Sequence, residues 1–329
     1  MNCTPLVTVI IPTYNYGQFI CQAVDSILNS EFPQSEIEII IVDDGSTDDT
    51  SEKIKTYGDR VKYIFQENLG KAWATRVAIE HSQGKYLFNL DADDFFLTNK
   101  IQEVVNVFAQ DSNIVHVAHP AIHWNISDDI KTVEAIPRSL IGQKTSGRQL
   151  LSYFYNRKII FGGGSTFAGR TEVLKNLCIP KEVDMFIDEY LILFTLNQGN
   201  SYFIEEPLSV WRVHKKNYSG GAADHSLINT KMQRSIKSQE AVLDSLQNSN
   251  LEEEIKILYQ LKVKVATLAT KEQRGQKSFS DIYEIWLYVL KNLSKFNQDI
   301  FLIIKSYTLL NRSLPSGIIK LIKTMKSTT

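Results

Sequence analysis

The chain has 329 residues, is 43% hydrophobic and 22% charged, and carries a formal net charge of −1. That is the composition of a globular chain with room for one domain of about 200 to 250 residues and a smaller one, and it excludes the broad basic surface that a nucleic-acid binder needs. Cys3, Cys21 and Cys178 form no metal-ligand pattern, the N-terminus lacks a signal peptide's basic and apolar regions, and no apolar run approaches the roughly 20 residues of a spanning helix, so a cytoplasmic protein in a reducing compartment is expected.

The β-branched run Val7 to Ile11 ends at Pro12. It predicts a first strand that leaves Pro12-Thr13-Tyr14-Asn15 at the carboxyl edge of a sheet, where open α/β sheets bind ligands. From Gln18 to Leu28 the apolar positions Phe19, Ile20, Ala23, Val24, Ile27 and Leu28 recur at helical spacing, which predicts a helix packed on that sheet. Glu36 to Val42 predicts a second strand ending in Asp43-Asp44-Gly45-Ser46-Thr47-Asp48-Asp49-Thr50. Asp48 or Ser46 suits a helix cap. Asp44 is surplus to that need and is a candidate acceptor for a base N–H. Val61 to Phe65 predicts a third strand, and a helix opens at Lys71 and runs through about Glu80. Lys71 at its start is either solvated or a phosphate contact.

The stretch Tyr86 to Asp94 is where chemistry is expected. An apolar strand delivers Asp91, Asp93 and Asp94 onto its exit loop. Carboxylates this close stay ionised only beside positive charge, and a divalent metal carrying a phosphorylated ligand is the usual source; the competing reading is a solvated acidic turn. A helix from Lys100 to Ala109 and a strand from Ile114 to Val117 follow. The alternation predicts a doubly wound, mostly parallel α/β sheet. No Gly-x-Gly-x-x-Gly follows the first strand, which disfavours a nicotinamide dehydrogenase, and there is no phosphate-loop motif. Gly162-Gly163-Gly164-Ser165-Thr166 is glycine-rich but lacks a following lysine, and reads as a close-packed or mobile turn, or as a flank of the acceptor site.

Several of these motifs, in this order and spacing, resemble one family. Val9-Ile10-Ile11-Pro12-Thr13-Tyr14-Asn15, Val42-Asp43-Asp44-Gly45-Ser46-Thr47-Asp48, Asn68-x-Gly70 and Leu90-Asp91-Ala92-Asp93-Asp94 look like the family 2 inverting glycosyltransferases of the GT-A fold. Glu206-Pro207-Leu208 and Trp211-Arg212-Val213-His214-x-x-Asn217-x-Ser219 resemble that family's closing strand and lid. The likeness covers about residues 5 to 225. It implies a GT-A catalytic domain over 1–225 that moves a sugar from a nucleoside-diphosphate sugar, a UDP-sugar first, to a saccharide, lipid-linked or protein acceptor in bacterial surface polysaccharide or glycoconjugate synthesis. It also implies that Pro12, Tyr14 and Asp44 line the base pocket, that Asp91 lies by the ribose with Ala92 beside it, and that Asp93 holds Mn²⁺ or Mg²⁺. His214 is then a further metal ligand or a diphosphate contact, against the reading of an exposed loop histidine. The catalytic base falls on Asp188 in Ile187-Asp188-Glu189-Tyr190, where Ile187 stands in place of the family's usual acidic residue. Arg76 stands where the family more often has Asn. A nucleotide-sugar sensor and a sugar-phosphate nucleotidyltransferase are the alternatives from other classes.

Beyond residue 225, Lys231 to Leu246, Leu251 to Leu268, Asp281 to Leu293 and Gln298 to Leu310 carry apolar residues at helical spacing, which predicts an all-helical region over 226–329. Ser278-Phe279-Ser280-Asp281 reads as the cap of the third helix. From Lys291 onward seven basic residues face one acidic residue, Asp299, among interleaved apolar ones. That pattern fits peripheral contact with a membrane's inner face or an anionic partner, or an ordinary helix pair with a solvated rim.

Overall fold

The structure, a computed structural model, describes residues 4–214, 217, 225–297 and 299–313. The first half alternates strand and helix: β1 (Val7–Thr13), α1 (Gly17–Leu28), β2 (Ile37–Asp43), α2 (Thr50–Lys55), β3 (Lys62–Phe65), α3 (Lys71–His81), β4 (Tyr86–Asn89), β5 (Phe95–Phe96), α4 (Lys100–Gln110) and β6 (Ile114–Ala118). Next come β7 (Ala121–Asn125), β8 (Ile130–Val133), β9 (Lys144–Ser146), α5 (Gly147–Arg157), β10 (Ala168–Arg170), α6 (Thr171–Lys175), α7 (Ile187–Leu196), β11 (Asn200–Phe203) and β12 (Ser209–Val213). The described remainder is helical: α8 (His225–Gln247), α9 (Glu253–Gln273), α10 (Phe279–Lys291), α11 (Ile300–Ser306) and α12 (Leu309–Ser313).

All seven residues of β1 are buried, as a continuous apolar run in a parallel sheet requires. It pairs in parallel with β2 on one side and β4 on the other, with Thr13 opposite Asp43 and Ile10 opposite Asn89. The loops after these three strands therefore leave the sheet at one edge. The α1 stripe Ile20, Ala23, Val24 and Ile27 packs into the core that also holds Val9 and Ile11.

The eight-stranded sheet runs β3-β2-β1-β4-β10-β6-β11-β9. It is mostly parallel, as expected, but β10 is antiparallel to both β4 and β6, and β9 is an antiparallel edge. A second sheet, β5-β12-β7-β8, carries β12, and only that strand is foreshadowed in the sequence.

The chain divides into two compact units, Met1–Leu150 with Phe161–Ala241, and Leu151–Ile160 with Val242–Thr329. The division between the two units falls inside α8, and part of α5 belongs to the helical unit. Within that unit buried Glu254 accepts hydrogen bonds from Ser152 Oγ (3.1 Å), Asn297 N (2.8 Å) and Asn297 Nδ2 (3.1 Å). Tyr307 Oη donates to Tyr155 O at 2.7 Å. Ser278 and Asp281 form the expected capping box on α10. The stretch from Gln298 to Leu310 is two helices, not one: Thr308 takes φ +55° between α11 and α12, a conformation that breaks a right-handed helix. Of the basic residues from Lys291 onward, Lys295 pairs with Glu253 and Arg312 with Glu272, both at 3.3 Å; Lys320, Lys323 and Lys326 lie outside the described residues. Among the described residues no helix is long and apolar enough to cross a membrane.

Candidate active site

At the carboxyl edge the β2 loop closes around its own acidic residues. Asp48 Oδ1 accepts from Thr50 N and Oδ2 from Gly17 N, both at 3.0 Å, so one side chain caps the starts of α1 and α2. These bonds outweigh the opposing effect of burial and hold Asp48 below the ordinary carboxylate value. Asp44 is buried and tied to the loop before α3, with Oδ1 accepting from Gln66 Nε2 (2.7 Å) and Leu69 N (2.8 Å) and Oδ2 from Gly70 N (2.8 Å). A carboxylate has about four acceptor sites, so one remains on Oδ2 for a ligand donor. Gly70 sits at φ +96°, and a Cβ there would lie 2.7 Å from Asp184 Oδ1. Only glycine suits that turn. Asp44→Ala strands two backbone N–H groups, and a fall in folding stability of about 2 kcal/mol is expected, measurable by urea unfolding monitored by circular dichroism.

The sequence-predicted residues Pro12 and Tyr14 reach the same edge. Pro12 is buried opposite Val42 on β1, and Tyr14 is exposed on the loop. Ala92 is buried in the core, which leaves its backbone as the part available to a ligand.

The three carboxylates after β4 have separate surroundings. Asp94 is buried, with Oδ2 accepting from Ser165 Oγ (2.5 Å) and Oδ1 from Arg212 N (3.0 Å). Burial and the neighbouring Asp93 and Asp91 raise its proton affinity well above the ordinary value. Asp93 Oδ2 meets His214 Nε2 and Asn217 Nδ2, each at 3.1 Å. Burial, then Asp91, raise its pKa against the opposing effect of His214. Tyr16 also hydrogen-bonds Asp93, and burial together with that carboxylate pushes its phenol pKa up. The Arg212 guanidinium caps the Asp93 carbonyl and lies 4.6 Å over the Phe19 ring.

Asp91 faces the other way. Its carboxylate is 2.9 Å from Lys71 Nζ, which also reaches Asp188 Oδ2 at 3.2 Å. Asp188 stands at the start of α7 and accepts a bond from Gly164 N. Its side chain is 37% exposed, whereas Glu189 beside it is only 7% exposed. Burial and Asp91 raise the Asp188 pKa, and Lys71 opposes both. Gly163 and Gly164 pack against these acids: a Cβ on Gly163 would lie 3.3 Å from Asp188 Cβ, and one on Gly164 3.4 Å from Asp91 Oδ2. Larger side chains would crowd both acids.

Lys100, read in the sequence as the first residue of an ordinary helix, is fully buried. Its Nζ donates to Ser165 O at 2.5 Å and Ser209 Oγ at 3.0 Å, 3.5 Å from the centre of the Phe96 ring. Burial lowers its pKa well below that of a free lysine, with Asp94 opposing. Ser165 also accepts from Asp91 N at 3.0 Å, so it joins Asp91, Asp94 and Lys100. Tyr16 and Lys100 carry no motif, and nothing in the sequence singles them out; Ser165 falls in the glycine-rich stretch 162–166, but its bonds to Asp91, Asp94 and Lys100 are not legible there. Arg76 pairs with Glu80 at 2.8 Å and stacks on Trp73, away from these acids.

The donors at Asp93 fit a hard divalent cation. A buried carboxylate and an imidazole nitrogen adjoin one another, and the carboxylate lacks a lysine or arginine side chain of its own among the described ion pairs. Among the described residues no three His, Cys, Asp or Glu side chains form a complete cage. Mg²⁺ sites of this kind take one or two carboxylates and complete their shell with substrate phosphates and water.

Residues 8–178 match the family model described as Glycosyl transferase family 2. An uncharacterized glycosyltransferase of Nostoc sp. is 34% identical over 226 residues, 66% of this chain and 67% of the relative. One of Rickettsia prowazekii is 39% identical over 104 residues, 32% of each chain. Among solved structures, S. aureus TarS 1-349 in complex with UDP aligns with TM-score 0.61 and 16% identity over 93% of this chain and 87% of that one. The mannosyltransferase PcManGT from Pyrobaculum calidifontis, in complex with GDP-Man and Mn²⁺, aligns at 0.55 and 18% identity over 94% and 86%. The strand order, the acidic loops at one sheet edge and these matches agree that the chain belongs to glycosyl transferase family 2 and has the GT-A fold.

Proposed function

We propose that this glycosyltransferase moves a sugar from a nucleoside-diphosphate sugar to an acceptor hydroxyl with inversion at the anomeric carbon, in the synthesis of a surface polysaccharide or glycoconjugate. The observation that carries the reading is the convergence of Asp91, Lys71 and Asp188 beside the separate Asp93–His214 pair. One corner suits a leaving diphosphate and the other a hydroxyl that must lose a proton. In this reading Asp44, Pro12 and Tyr14 receive the base, and Asp91 with the Ala92 backbone receives the ribose. Lys71 would reach the donor's phosphate oxygens.

Asp93 and His214 would hold Mn²⁺ or Mg²⁺. The cation would offset the charge that gathers on the departing diphosphate, so that no proton donor is needed there. Asp188 takes the proton of the acceptor hydroxyl as that oxygen attacks from the face opposite the leaving group. The complexes of TarS with UDP and UDP-GlcNAc and of PcManGT with GDP-Man and Mn²⁺ favour a nucleotide-sugar donor and a divalent ion, and UDP-sugars are the first donors to test.

The deciding experiment is product analysis after incubation with a panel of UDP- and GDP-sugars, Mn²⁺ and candidate acceptors. The expected products are a nucleoside diphosphate and a glycoside of inverted configuration. Pyrophosphate would make the protein a nucleotidyltransferase, and donor binding without turnover across the panel would make it a sensor. A contact of the C-terminal helices with a membrane's inner face is supported by exposed Phe301 and Lys305 one turn apart on α11 and by exposed Phe279 and Tyr283 on α10. Flotation with phosphatidylglycerol vesicles tests it, and a protein that stays at the bottom of the gradient is not a membrane binder.

A further inference from the structure

Two acids that the proposed reaction uses differently, Asp91 for the donor and Asp188 for the acceptor, share a single ammonium. Lys71 Nζ is 2.9 Å from Asp91 Oδ1, and 3.4 and 3.2 Å from the two oxygens of Asp188. Its placement is built in. Lys71 is the first residue of α3, directly after Gly70, whose positive φ and hydrogen bond to Asp44 set the direction in which the helix starts. Thr75 Oγ1 bonds back to the Lys71 carbonyl at 2.8 Å. The lysine side chain is one-third exposed, so its charge is only partly screened by water.

We propose that Lys71 is a positioning residue for the base: its ammonium holds the Asp188 carboxylate ionised and in one orientation, aimed into the site, before any substrate arrives. This deepens the glycosyl-transfer reading and rests on its assignment of Asp188 as base. The groups facing Asp188 are Lys71 from α3, Asp91 from the loop after β4 and the Gly164 N–H from the glycine turn. On its own helix, Glu189 is buried. Burial and Asp91 both favour the protonated acid, whereas Lys71 and the Gly164 N–H favour the carboxylate. Without the ammonium, burial and the Asp91 charge would act on Asp188 with only the Gly164 N–H opposing them, which shifts Asp188 toward its protonated form. A protonated Asp188 cannot accept the hydroxyl proton. A lysine serving only as a diphosphate clamp would have no need to touch Asp188.

The test is a carboxyl titration of the ligand-free full chain, by ¹³C NMR of protein labelled at the aspartate side-chain carboxyl. The Asp188 signal is assigned by its loss in Asp188→Asn. In Lys71→Met, which keeps the stem and removes the charge, the Asp188 midpoint is expected to rise by roughly one pH unit or more. Lys71→Arg is expected to keep it near the wild-type value and controls for lost packing. An unchanged midpoint in a folded Lys71→Met protein overturns the proposal and leaves the lysine as a donor contact. A rise that arginine does not reverse also overturns it, because lost packing would then be the cause. The titration needs no substrate, so its outcome is independent of whether sugar transfer is found. If Asp188→Asn proves active in transfer, the base assignment falls, and the role proposed here falls with it.

Discussion

Asp188→Asn is expected to fold and bind donor as the wild type does, and to lower kcat by about 10² or more. The substitution is nearly isosteric, and the asparagine oxygen can still accept the bond from Gly164 N. What it loses is the capacity to take a proton. Glu189→Gln is the paired control. Successive helix residues point about 100° apart, so only one of the two acids can face the reacting hydroxyl, and Glu189 is buried while Asp188 stands beside Lys71 and the glycine turn. The Glu189 variant is therefore expected to show its effect in thermal unfolding more than in turnover. Unchanged kcat in Asp188→Asn would remove the assignment, and a dead Glu189→Gln beside a live Asp188→Asn would move the base by one residue.

Asp93→Ala is expected to abolish turnover and to remove the cation dependence of diphosphate binding. In the wild type, calorimetric titration with UDP should weaken sharply when EDTA replaces Mn²⁺. In the variant the two titrations should coincide at the weaker value. His214 Nε2 and Asn217 Nδ2 lose their shared acceptor in this protein, so Asp93→Asn, which keeps an oxygen for them, serves as the folding control. Full wild-type activity in excess chelator would refute the metal's role.

The strands were legible where burial on both faces forces an unbroken apolar run, as in β1, β2 and β4, and the carboxylates at their ends gather at one edge of the sheet. Asp48 was legible as a cap because a short acceptor side chain before a helix has few other uses. Asp44 was legible as set apart from the caps, but its three bonds to residues 66–70 depend on a loop whose path the sequence does not state. β10 was missed because Ala168-Gly169-Arg170 is too short and too small to show alternation, and its place between β4 and β6 comes from neighbours distant in sequence. Lys100 was missed for a related reason. At a helix start it reads as solvated, and only the Ser165 carbonyl and Ser209 hydroxyl brought over it turn it inward. Asp188 came from resemblance alone, since an acid in the first turn of a helix is ordinary.

The contacts that complete the two acidic corners span long stretches of chain. Arg212 N reaches Asp94 across 118 residues, Asn217 reaches Asp93 across 124, and Lys71 reaches Asp188 across 117. A ribosome adds roughly 5 to 20 residues per second. The edge built from β1, β2 and β4 can therefore assemble while Asp93 and Asp94 wait on the order of ten seconds for their partners to be made. During that interval the nascent chain carries an acidic loop without the arginine, histidine and asparagine that later hold it. A product truncated before Ser209 would stay in that state: Asp44 could close its loop around Gly70, but the corner around Asp93 would have no wall.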